Sequence, residues 1–268
     1  MRRIRRILNR CPRPFNADAF APLEGVHPTG RGIAPAALPP DWKRITMTNT
    51  LTSAPLAPLL DRLFTQAEAS WASADPALAN MSDAEQARLM RSKTEYREFY
   101  GRMKDLPLAV SPETGTLLYM LARSTQARSI IEFGTSFGIS TLHLAAALRD
   151  NGGGRLITTE FEPSKVSLAS GHLAEAGLAD LVELRQGDAL QTLATGLPDR
   201  IDLVLLDGAK ALYSDVLALL EDRLRPGALI VADNADHCPE YLARVRSPAS
   251  GYLSTPFGGD VELSMRLE

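Results

Sequence analysis

Apolar positions along this chain follow two regimes. Over residues 55–126 they recur at helical spacing: Leu56, Leu59, Leu60, Leu63 and Phe64 form one stripe, and Leu117, Leu118, Leu121 and Ala122 another. Ser82-Asp83-Ala84-Glu85 has the form of a capping box and predicts a charged helix running through Met103. Ser111-Pro112-Glu113 supplies an N-cap, a proline at the first helical position and an early acid. No strand candidate occurs in this stretch. From residue 128 short apolar runs alternate with amphipathic stretches. The runs predict strands at Ser129–Phe133, Arg155–Glu160, Val182–Gln186, Leu203–Leu206 and Ala228–Ala232, with helices near 139–149, 163–176, 189–195 and 212–223. Gly152-Gly153-Gly154 and Gly177 read as helix stops. Strands spaced by helices imply a parallel sheet with both faces covered. A last pair, Gly251–Thr255 and Asp260–Leu267 around Pro256-Phe257-Gly258-Gly259, predicts antiparallel strands at the sheet edge. The expected architecture is a three-layer α/β domain over 127–268, with a helical segment, 47–126, packed on it.

Composition narrows the function classes. The 268 residues are 45% hydrophobic, enough for a sizeable core. Two cysteines, Cys11 and Cys238, make no disulfide framework, and four histidines leave little for a Cys/His zinc cage. No run of 18 apolar residues exists to span a membrane. The net charge of −3 argues against a nucleic-acid surface, and a soluble, cytoplasmic protein is expected. That charge is uneven. Residues 1–46 carry nine Lys/Arg against three Asp/Glu, which leaves −9 on residues 47–268. Seven prolines also interrupt the basic segment, and Ile4-Arg5-Arg6-Ile7-Leu8 is too short and too charged for a signal-peptide core. It reads as a disordered leader or as sequence upstream of a start at Met47. A mitochondrion-type targeting arm is an alternative that rests on composition alone.

Ligands of such sheets bind beyond the carboxyl ends of the strands. Those ends are polar here: Glu132 with Gly134, Thr135, Ser136, Phe137, Gly138 and Ser140; Glu160; Gly187-Asp188-Ala189; Asp207-Gly208-Ala209-Lys210; Asp233-Asn234. The first loop has three readings. As a dinucleotide fingerprint it lacks the third glycine. As a Gly-x-Ser-x-Gly nucleophile elbow, with Asp207 or Asp233 and His237 following, it would stand on the first strand rather than mid-sheet and would leave Glu160 and Lys210 idle. As an S-adenosylmethionine (SAM) site it is a glycine turn preceded by an acid in the first strand, Glu132. Glycine amides approach the amino-acid end, Glu160 accepts both ribose hydroxyls, and Asp188 and Ala189 border the adenine. The plain alternative is a tight turn at Gly134 and Gly138, with Glu160 capping a helix.

On these residues, and on Val110-Ser111-Pro112-Glu113 and Ile131 through Ser140, the chain over about 100–268 resembles the class I SAM-dependent methyltransferases. More narrowly it is similar to the metal-dependent O-methyltransferases of the catechol and caffeoyl-CoA type. The resemblance implies a Rossmann-like, mostly parallel seven-stranded sheet of order 3-2-1-4-5-7-6, with strand 7 antiparallel. It implies cofactor contacts at Val110, Glu132, Gly134, Ser140, Glu160 and Ala189, with Thr135, Ser136, Gly138, Asp188 and Asp207 around them. Asp207-x-x-Lys210 and Ala232-Asp233-Asn234 match the family's metal site, in which Asp207, Asp233 and Asn234 would bind Mg²⁺ and Lys210 would act on the substrate hydroxyl. The donor chemistry agrees, because hard oxygen ligands suit Mg²⁺, with Mn²⁺ or Ca²⁺ as alternatives.

The activity so implied is methyl transfer to a hydroxyl of a small catechol-like or phenolic acceptor by a homodimer. Lys210 is the expected general base, with a pKa depressed by the neighbouring metal charge. A metal-independent N- or O-methyltransferase and a non-catalytic SAM-binding protein are the alternatives. Glu262 falls where catechol-type enzymes carry an acid facing the second hydroxyl. Lys104, Tyr213, Asp236 and His237 are candidates for an acceptor pocket, and Trp71, Tyr96 and Tyr100 for a lid, a dimer contact or core. His143 reads as structural. Gly208 departs from the family, which places a larger residue there.

Overall fold

The computed structural model describes residues 49–70, Leu78 and 80–268. The leader, Cys11, Met47 and Trp71 lie outside the described residues. Helices α1 (Leu56–Ser70), α2 (Asp83–Met90), α3 (Tyr96–Gly101) and α4 (Pro112–Ser124) precede the sheet. Strands β1 (Ser129–Phe133), β2 (Arg155–Glu160), β3 (Val182–Gln186), β4 (Ile201–Leu206) and β5 (Leu224–Ala232) then alternate with α5 (Ile139–Asp150), α6 (Pro163–Glu175), α7 (Ala189–Thr192) and α8 (Tyr213–Leu220). Helix α9 (Pro239–Val245) leads into the hairpin β6 (Tyr252–Phe257) and β7 (Val261–Arg266). The strand order is β3-β2-β1-β4-β5-β7-β6; β7 runs antiparallel to both β5 and β6, and the other pairs are parallel.

Alternation along the buried strands builds two cores. Ile131, Phe133, Val204, Leu206, Ile230 and Ala232 face one way, against α2, α3, α8 and α9. Ile130, Leu156, Leu203, Leu205 and Val231 face the other, against α1, α4 and α5. The N-terminal helices are therefore split between the two faces. Leu56, Leu59, Leu60 and Leu63 of α1 pack with Leu118 and Ala122 of α4, while Met90, Tyr96, Phe99 and Tyr100 pack on the opposite side.

Several boundaries differ from expectation for local reasons. The helix expected from Ser82 to Met103 is two helices. Ser82 does cap α2 by accepting from Glu85 N, but Ser92 Oγ accepts from Glu95 N at 3.1 Å and ends the run, as serine does when it competes for backbone donors. Phe257 and Pro256 belong to β6 rather than to the turn, which Pro256 can do because β6 is an edge strand. Helix α9 was not anticipated, although Pro239 at its first turn and the buried pair Tyr241 and Val245 mark it.

At the amino ends of the strands Asp202 acts as a clip. Its Oδ2 accepts from Arg128 N at 2.8 Å and Ser129 N at 3.0 Å, and its Oδ1 from Arg225 Nε at 2.6 Å. Burial alone would raise its pKa; these hydrogen bonds outweigh burial and hold it below the usual carboxylate value. A depressed folded-state pKa adds stability that is complete above the unfolded value of about 3.9 and is lost as pH falls through the folded one. Asp202→Ala should cost about 2–3 kcal/mol in urea unfolding at pH 7, and the difference from wild type should shrink below about pH 4.

Candidate active site

The turn between β1 and α5 brings the strand ends together. Gly134 has φ +103°, and a Cβ there would lie 2.6 Å from the Asp207 carbonyl oxygen, so only glycine lets this turn lie against the end of β4. Ser136 (φ +48°) and Gly138 (φ +87°) complete the bend into α5. Glu160, ending β2, closes the other side: its Oε2 accepts from Ser136 N at 2.9 Å and its Oε1 from Glu162 N at 3.0 Å. Burial raises the Glu160 pKa, and the charge of Lys165 works against that rise.

A cavity open to solvent lies over this edge. Of the residues expected at a cofactor site, Gly134, Ser136, Glu160, Asp188, Ala189 and Asp207 line it. Val110, Glu132, Thr135, Gly138 and Ser140 do not line it. Val110 belongs to the core, and Thr135 Oγ1 bonds Thr158 Oγ1 at 2.6 Å. Glu132 is fully buried on β1, where its Oε2 accepts from Thr141 Oγ1 at 2.6 Å and its Oε1 has no partner among the described residues. Burial pushes its pKa up to about 7. Asp188 is also committed. Its Oδ1 caps Leu190 N, and its Oδ2 accepts from Tyr96 Oη at 2.8 Å and from the Arg97 guanidinium. That clasp lays α3 over the cavity, where Tyr96 and Tyr100 form part of the wall.

The second cluster stands at the ends of β4 and β5. Lys210 Nζ donates to Asp207 Oδ1 at 2.9 Å, to Tyr213 Oη at 2.8 Å and to the Asp233 carbonyl at 3.2 Å, and Tyr213 Oη donates to the same carbonyl at 2.8 Å. The Asp233 carboxyl meets Asp207; burial first, and then the Asp207 charge, lift its pKa well above the usual carboxylate range. Asn234, in the left-handed region (φ +49°), is buried, and its Nδ2 lies 3.4 Å from Asp260 Oδ2. Among the described residues no group of three or more His, Cys, Asp or Glu is arranged for a metal ion. The set here is two carboxylates and an amide. Its mutual repulsion and hard oxygen donors fit a divalent cation, which would offset that repulsion. Without that charge the expected depression of Lys210 is reversed. Burial lowers its pKa, but Asp207 and Asp233 together raise it above the ordinary lysine value. Lys210 also lines a second cavity with Tyr213, His237 and Cys238, so the Asp207–Lys210 pair stands between two spaces.

Other candidates are placed elsewhere. Glu262 is ion-paired to Arg246 (2.6 Å), accepts from Ser254 Oγ, and is 1% exposed. Lys104 pairs with Asp105 at the surface. His143 is structural: its Nδ1 lies 2.8 Å from the Ile139 carbonyl and its ring fills the space beside Gly115. Gly208 is explained by packing, since a Cβ there would come within 2.5 Å of the Phe133 ring. Lys165 was missed. It is 4% exposed, lines the cavity, and shares the buried stripe of α6 with Ala169 and Leu173. A lysine at i of an i, i+4, i+8 apolar stripe was the available signal.

Residues 131–235 match the family described as a methyltransferase domain. The solved SAM complex of the O-methyltransferase TomG from Streptomyces achromogenes, involved in tomaymycin synthesis, is 31% identical, with a TM-score of 0.54; the alignment covers 72% of this chain and 94% of that one. The chain belongs to the class I O-methyltransferase family. Among curated members, the catechol O-methyltransferase of Niastella koreensis is 38% identical over 130 residues, covering 47% of this chain and 58% of that protein. That of Mycobacterium tuberculosis is 39% identical over 131 residues, covering 48% and 59%. The chain thus spans somewhat over half the length of these curated relatives.

Gly134→Ala should destabilise this O-methyltransferase family member by more than about 2 kcal/mol in chemical unfolding, because left-handed backbone and a backbone clash are both imposed. Gly177→Ala, with φ +66° and open space around its Cβ position, should cost clearly less.

Proposed function

We propose that the chain is a SAM-dependent O-methyltransferase acting on a small catechol-like or phenolic hydroxyl with the help of a divalent metal. The observation that carries this reading is the meeting of Asp207 and Asp233 beside buried Lys210, at the rim of a cavity that Glu160 and Gly134 also line. The cofactor reading draws further support from Glu160, a buried carboxylate that lines the cavity beside the glycine turn. Homodimerisation and a cytoplasmic location belong to the same proposal and rest on the family likeness and the composition. Among the described residues no helix is long and apolar enough to cross a membrane.

When bound, SAM supplies an electrophilic sulfonium methyl, and a cation held by Asp207, Asp233 and Asn234 supplies stabilisation of the acceptor oxyanion. The remaining work falls to this chain. Phenols have pKa values of roughly 10, so a base is needed at neutral pH. Lys210 would become that base once the charge on Asp207 and Asp233 is neutralised, because their field raises its pKa and burial then lowers it. Its Nζ then takes the acceptor proton, while Tyr213 Oη and the Asp233 carbonyl hold the amine in place. Glu160 orients the ribose. Tyr96, Tyr100, Phe133 and Leu212 keep water from the cavity. Alignment is the main contribution of such a site, worth up to about 7–11 kcal/mol.

The test is methyl transfer to catechol-containing phenols with and without EDTA. EDTA should abolish turnover and Mg²⁺ restore it. Lys210→Ala and Asp233→Ala should keep SAM affinity within a few-fold and lose turnover by about a hundredfold or more. Full activity in EDTA would leave a metal-independent methyltransferase. SAM binding without turnover on any acceptor would leave a binding protein.

A further inference from the structure

Lys165 is the charged group of the cavity that the reading above leaves unused. It projects from the first turn of α6, is 4% exposed, and lines the cavity together with Glu160, Ser136 and Glu162. Among the described residues its one hydrogen bond is long, 3.5 Å from Nζ to Ser136 Oγ, and Nζ lies 5.9 Å from the centroid of the Phe137 ring. Glu160 acts on it only through space. A buried ammonium with most of its donor capacity unused is costly to a fold unless a ligand meets it.

Ser136 ties this group to Glu160. Its backbone N–H donates to Glu160 Oε2 while its hydroxyl receives Lys165, so both charges are anchored on one residue and face the same part of the cavity. Their hydrogen-bonding capacities are complementary. An ionised carboxylate only accepts, an ammonium only donates, and a hydroxyl needs both. We propose that Lys165 donates to a ribose hydroxyl oxygen of the methyl donor, so that Lys165 and Glu160 together read a free vicinal diol. This assignment rests on the SAM reading of the cavity and adds to it a second ribose-recognising residue. The opposite charges also give selectivity: a phosphorylated ribose would gain from Lys165 but be repelled by Glu160.

The experiment is calorimetric binding of S-adenosylhomocysteine and its 2′-deoxy and 3′-deoxy analogues to the full chain, wild type against Lys165→Met and Lys165→Gln. Thermal midpoints check that the variants fold. Lys165→Met should weaken S-adenosylhomocysteine by about tenfold or more, the scale of a charge-assisted hydrogen bond. The same substitution should weaken one deoxy analogue, the one lacking the oxygen that Lys165 meets, by less than about twofold. Lys165→Gln, which keeps N–H donors without the charge, should recover part of the loss. Equal losses against all three ligands, or no loss against any, would overturn the assignment. A wild-type chain that binds none of the three overturns the cofactor reading as well, which separates the two failures.

Discussion

Charge removed from water has to be met by other charge or by hydrogen bonds, and this fold removes carboxylates from water along one sheet edge, Glu132, Glu160, Asp207 and Asp233 among them. Glu132, Glu160 and Asp233 are less than a tenth exposed, and the Asp207 side chain is 13% exposed. Each is met differently. Glu132 has a threonine hydroxyl and a pKa near 7, Glu160 has two backbone amides, and Asp207 has a lysine. Asp233 has no cation of its own and lies against Asp207. Glu160 and Asp207 are settled within the protein, whereas Glu132 keeps one oxygen without a partner among the described residues. Asp233 lies against a second carboxylate, and the cation proposed above would meet both charges.

The same constraint explains how the N-terminal helices meet the site. Leu108 N donates to Ser136 Oγ at 3.0 Å, and Tyr96 and Arg97 converge on Asp188. Polar groups on the loops after β1 and β3 thus fasten the segment that forms the cavity wall. Small residues after β4 leave room for it. Gly208 lets the Phe133 ring lie close, and Ala209 adds no bulk, so aromatic side chains from α3 and β1 enclose a space that the β4 loop leaves open.

Lys210 shows why a residue's chemistry depends on its surroundings. All three of its N–H groups have partners, and one of them is the carbonyl that Tyr213 also uses. In that state it is a cross-link between the ends of β4 and β5. In the proposed mechanism the same nitrogen serves as a base once the field of its two aspartates, which raises its pKa, is cancelled.

The strands β1, β2 and β3 and the acids at their ends were legible in the sequence, because short buried apolar runs and the polar residues that close them are local patterns. So were the need for glycine at Gly134 and the capping by Ser82 and Ser111, each set by backbone geometry within a few residues. The break at Ser92, the capture of Glu262 by Arg246, the clasp on Asp188 and the direction of the Lys210 shift were not. Apart from the break at Ser92, they arise between side chains brought together only by the crossovers and by the split of the N-terminal helices over both sheet faces. Sequence periodicity determines which faces are buried; which charges then meet across those faces is decided by packing, since electrostatic partners are chosen by distance in space and not by separation along the chain.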